Sequence, residues 1–179
     1  MKLFFSLFLF LSSLNAGITE KLFDFYQQGM YSKGCAAGGK YFQEHQADKT
    51  FVSLYAFSCL KDDQIDALAL PITSLNQTVE ERANAAYFTL LLMQKKLLLQ
   101  SLYDNKPLYN LKFPSSSHLL SKVFDLYLKD PKVTQLTKEY QDPTNPRQSY
   151  KLYTTLNKGK ETIAIDEYYD KILTLHHVY

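Results

Sequence analysis

The chain has 179 residues, with 20 Lys plus Arg against 18 Asp plus Glu and a formal charge of +2. Its basic residues are scattered and only Arg82 and Arg147 are arginines, so composition sets aside nucleic acid, whose phosphates need clustered cations. The length suits one domain of ordinary size with a real core.

Lys2 precedes an apolar run from Leu3 to Leu11, and Ser12-Ser13-Leu14-Asn15-Ala16 closes it with small residues. A basic start, a short apolar centre and a small-residue exit have the form of a secretory signal peptide, residues 1–16, cut after Ala16. The run is shorter than the roughly 20 residues of a membrane helix, and no cysteine follows it to carry a lipid. A buried N-terminal helix is the competing reading, although such a helix needs a polar face. The mature chain, one charge poorer without Lys2, is expected in the bacterial periplasm or outside the cell. Residues 17–130 then form a helical, repeat-like domain, and residues 131–179 a β-containing extension packed on it.

Glu20 to Gln28 places Leu22, Phe23, Phe25 and Tyr26 at helical spacing behind a Thr19 cap, and Gly29 ends the segment. Lys33 to Gln46 is a second helix whose Gly34, Ala36, Ala37, Gly38 and Gly39 invite close packing while weakening it. Its glycine-rich start lacks the spacing, the preceding strand and the Gly-Lys-Ser/Thr ending of a phosphate loop. After the polar turn His45-Gln46-Ala47-Asp48, Asp48 caps a helix from Thr50 to Lys61. The two cysteines, Cys35 and Cys59, are symmetric about Ala47. Antiparallel helices would bring them face to face, and an exported chain would join them in a disulfide.

Asp62-Asp63 breaks that helix, and Ile65 to Leu75 is a fourth, kinked or shortened by Pro71. Thr78 and Glu81 make a capping box for the longest helix, Val79 to Tyr103. Ala83, Ala86, Tyr87, Leu90, Met93 and Leu97 form one stripe. Phe88, Leu91, Leu92, Leu98, Leu99 and Leu102 form a second, wider than one neighbouring helix covers. Either the helix is central and packed on two sides, or these six residues are a candidate interaction surface. Lys95 and Lys96 rule out a membrane span. Residues 104–114 read as an extended connector, and His118 to Lys129 as a helix burying Leu119, Leu120, Val123, Phe124, Tyr127 and Leu128.

Beyond Pro131 the pattern changes. Val133 to Tyr140 is ambiguous, 142–146 is a turn, and Tyr150 to Leu156 with Thr162 to Ile165 reads as a hairpin about Asn157-Lys158-Gly159. For 166–179 periodicity leaves a helix, or a helical turn leading into a strand from Ile172 to Val178. Tyr153, Tyr168 and Tyr169 join the candidate interaction surface, because exposed tyrosines favour interfaces. The expected fold class is mainly α, antiparallel helical hairpins with a small C-terminal β-hairpin.

No catalytic, cofactor or metal site is expected. Ser115-Ser116-Ser117 before His118 reads as a helix cap rather than as a nucleophile beside its base. His176 and His177, as neighbours in a strand, would point to opposite faces and not share a metal. Asp62-Asp63, Glu80-Glu81 and Asp166-Glu167 are turn and cap residues.

Gly29, Tyr31, Gly34 and Tyr41 recur thirty-four positions later as Asp63, Ile65, Leu68 and Leu75. With this offset, Leu22 to Leu75 resembles a degenerate tetratricopeptide or Sel1-like repeat. The resemblance implies helical hairpins that bind other proteins, often peptides in a groove. The expected function is therefore a non-enzymatic, exported interaction scaffold with a protein partner in the envelope, a homo-oligomer being one form such pairing could take. The alternative is a carrier holding a lipid or small apolar ligand between the long helix and its neighbours.

Overall fold

A computed structural model describes residues 17–130 and 137–179. The proposed signal peptide and the start of the ambiguous segment at Val133 lie outside those residues. Among the described residues, six α-helices precede a four-stranded antiparallel sheet: α1 (Ile18–Gln27), α2 (Tyr31–His45), α3 (Lys49–Lys61), α4 (Ala69–Ser74), α5 (Val79–Tyr103), α6 (Leu119–Lys129), then β1 (Thr137–Gln141), β2 (Gln148–Asn157), β3 (Lys160–Tyr169) and β4 (Ile172–Val178). The chain is mainly α with a C-terminal sheet, and that sheet extends the expected hairpin by one strand on each side.

α1, α2 and α3 pack together. Cys35 and Cys59 are joined, with their Cα atoms 4.6 Å apart. Close approach of α2 and α3 depends on missing side chains: a Cβ at Gly34 would lie 2.6 Å from Ser58 Oγ, and one at Gly38 would lie 2.3 Å from the Tyr55 ring. Asp48 caps α3 by accepting the Thr50 and Phe51 amides. Thr19 does not cap α1, whose N-cap is Gly17; its hydroxyl instead donates to Asp48 Oδ2 at 2.7 Å, tying α1 to the α2–α3 turn.

Gly29 and Asp63, the two turn-formers at the thirty-four-residue offset, both take left-handed backbone, with φ of +70° and +58°. The elements they introduce are unlike. Gly29 leads into the long helix α2, whereas Asp63 leads into a 3-10 turn, Ile65–Leu68, and then the six-residue α4. Pro71 sits in the first turn of α4, where helix amides have no partner within their own helix.

Thr78 Oγ1 accepts the Glu81 amide, and Glu81 Oε2 accepts the amides of Asn76 and Gln77, so the box at the start of α5 closes slightly upstream of its expected form. Along α5 the side expected to be surplus is the core. Phe88, Leu91, Leu98 and Leu102 are at most 1% exposed, and Leu92 and Leu99 pack against the same core. Four of these six side chains are therefore buried rather than a free interaction surface, and Leu92 and Leu99 are half-buried. Between them lie Gln94 and a buried Lys95, whose ammonium meets Asp66 at 2.8 Å, as does that of Lys96. The outer side carries Ala83, Ala86 and Met93. Among the described residues, no helix is long and apolar enough to cross a membrane.

Strand alternation then sets the sheet's two faces. Tyr150, Leu152, Ile163 and Ile165 are at most 1% exposed and share a core with Phe88 and Leu98 of α5 and Phe124 and Tyr127 of α6. The undecided segment 166–179 is the end of β3 and all of β4. Asp170 and Lys171, with φ of +49° and +65°, turn one strand into the next, as Lys158 and Gly159 do between β2 and β3. Two consecutive left-handed residues match the twist of a tight hairpin.

Candidate functional site

Opposite the core face, the register lines up a row of alternating acids and bases across all four strands: Glu139, Lys151, Asp166 and His176. Cross-strand neighbours on one face lie about 5 Å apart, so each acid in this row stands beside a base. His176 Nδ1 lies 2.6 Å from Asp166 Oδ1, and the Tyr153 and Tyr168 hydroxyls reach the two Asp166 oxygens at 3.3 and 3.4 Å. The Tyr153 ring also stacks on His176, with centroids 6.5 Å apart. Burial, with Asp166 second, holds the Tyr153 phenol above its ordinary range, so it remains a donor. Beside this cluster an open cleft of about 460 Å³ is lined by Glu139, Gln141, Ser149, Lys151, Tyr168 and Lys171.

Tyr169 lies on the other face, near the sheet's end. It is 40% exposed, and the Arg147 guanidinium sits 4.4 Å from its ring centroid while also pairing with Asp170. Of the nine residues expected at an interaction surface, Tyr153, Tyr168 and Tyr169 are thus in the sheet region. The six from α5 lie within the core or against it.

The sheet ends in β4, whose side chains are unusually open. Ile172 is 69% exposed, Leu173 52% and Leu175 55%. A register shift at Glu167/Tyr168 pairs Leu175 with Glu167 and Leu173 with Tyr168, which puts the two leucines on opposite faces of the strand. The other edge, β1, carries Lys138 and Glu139, the charged residues that discourage pairing with foreign strands.

His177 points inward, opposite Ile165, as alternation requires. Its Nδ1 meets Asp63 Oδ2 at 2.8 Å and its Nε2 meets Glu167 Oε1 at 3.3 Å. His118, 6.2 Å from the Tyr179 ring, is itself the cap of α6: its Nδ1 accepts the Leu120 amide. Burial pushes its pKa down to about 4. Of the preceding serines, Ser115 donates to Asp125 and Ser116 accepts the His118 amide. The imidazole thus does the capping expected of the serines. Sequence reasoning missed the Asp166–His176 and Asp63–His177 pairs, because both need the β3–β4 register. Asp170-Lys171 between alternating runs was the signal available.

The chain matches no protein-family model, no curated protein and no solved structure.

Proposed function

We propose that this protein is an exported interaction module that takes an apolar, extended segment of a partner polypeptide onto the edge of its C-terminal sheet. The observation that carries this is β4, an edge strand exposing Ile172, Leu173 and Leu175 where the opposite edge is charged. Main-chain groups on such an edge can hydrogen-bond an added strand, and side chains on both faces select it. A cross-link between Cys35 and Cys59 supports an oxidising location, and the helical part, with its repeat-like offset, is the body that presents the sheet.

The test compares the wild type with Leu173→Lys/Leu175→Lys, each carrying a photo-crosslinker at Thr174, in the envelope of the producing cell. Cross-linking of a polypeptide by the wild type, lost in the double variant, is the expected result. Equal cross-linking by both would move the contact off β4. Self-cross-linking alone would make the partner a second copy.

A further inference from the structure

We infer that His177 is a proton-operated latch that holds the C-terminal strand against the helical body. Both of its ring nitrogens face carboxylates, Asp63 at 2.8 Å and Glu167 at 3.3 Å. A neutral imidazole has a single N–H and would turn a lone pair toward one of these acceptors; only the imidazolium donates to both. The three residues come from distant places: Asp63 from the left-handed turn after α3, Glu167 from β3, and His177 from near the end of the sheet's edge strand. Among the described ion pairs, only this one joins β4, otherwise held by its pairing with β3, to the helical part.

The surroundings leave His177 as the group that titrates. Facing it or its partners are Asp63 and Glu167, Asp62 beside Asp63, Tyr150 beside Glu167, Tyr179, and His118 at the start of α6, which Lys61 in turn faces. His118 is neutral across the physiological range, since burial and the amide it accepts both oppose its protonation. The Tyr179 phenol is held protonated by burial. Asp63 and Glu167 favour the imidazolium, and the hydrogen bond to Asp63 is the largest cause of a pKa above the ordinary 6.5. A raised histidine pKa gives stabilisation that is complete below the unfolded value and is lost as pH rises through the folded one. The latch is therefore shut below about pH 6.5, while its two carboxylates are charged, and loosens as pH rises through the raised value.

Loosening should reach the strand's end, because the His177 ring stacks on Tyr179 at 6.0 Å and the Tyr179 amide donates to Ile163. The latch operates whatever binds the β4 edge. Its test is amide hydrogen exchange of the purified protein between pH 6 and 9, corrected for intrinsic rates. Protection at Tyr179 should fall by about tenfold in the wild type, the size of one lost charge-assisted hydrogen bond, and stay level in His177→Gln. Level protection in the wild type, or an equal fall in the variant, overturns the latch. If His177→Gln does not fold, the His177 ring is titrated by NMR in wild type and Asp63→Asn. The midpoint should drop in the variant, and an unmoved midpoint overturns the latch as well.

Discussion

At the scale of single residues, two adjacent glycines in α2 make opposite predictions. Alanine in place of Gly38 gains up to about 1 kcal/mol of helix propensity, but its Cβ would stand 2.3 Å from the Tyr55 ring. Tyr55 is buried and its hydroxyl reaches the Ala67 carbonyl, so it cannot swing aside cheaply. Overpacking of this kind costs about 1–3 kcal/mol, and Gly38→Ala should lower the urea midpoint. At Gly39 the same atom would meet nothing closer than 3.6 Å, so Gly39→Ala should raise it. Equal shifts from both would show that α2 and α3 do not meet along this line. That α2 was rich in small residues was plain from the chain; which of its glycines faced α3 was not, because contact depends on the rotation of one helix against another.

Among the elements, α5 was legible in extent and illegible in orientation. Its cap and its length follow from local spacing, and Thr78 starts it where expected. With apolar residues almost all around it, periodicity could not say which side met the core. Packing against α4, α6 and the sheet chose the side bearing Phe88, Leu91, Leu98 and Leu102. Leu98→Ala should therefore cost about 2–5 kcal/mol. Met93→Ala, on a side chain 36% exposed, should cost below about 1 kcal/mol. Chemical denaturation of the two variants checks this, and similar losses would mean that α5 is turned otherwise. β4 shows the same limit: seven residues with apolar positions at both parities fit helix and strand alike until β3 lies beside them.

For the whole molecule, the cross-link between α2 and α3 and the docking of the sheet are separate fastenings. The disulfide spans a sequence separation of 24 and should contribute roughly 3 kcal/mol by limiting the unfolded chain. Unfolding of the Cys35→Ala/Cys59→Ala variant, measured against the wild type, should show a loss of that order, and intact mass after alkylation of the non-reduced protein should show no free thiol. An unchanged midpoint would place the stability of α1–α3 in packing alone.

The chain by itself determined the helices α1 to α3 and α5, the turn residues Gly29 and Asp63, the pairing of Cys35 with Cys59 and the central hairpin. Each of these rests on spacing or on symmetry about a single turn, and such relations survive without a fold. Only the tertiary structure decided that the wide apolar side of α5 is covered, that β4 completes a sheet, and that His177 reaches Asp63 across 114 positions. Those outcomes depend on strand register and helix rotation, which are set when distant surfaces compete for the same neighbours.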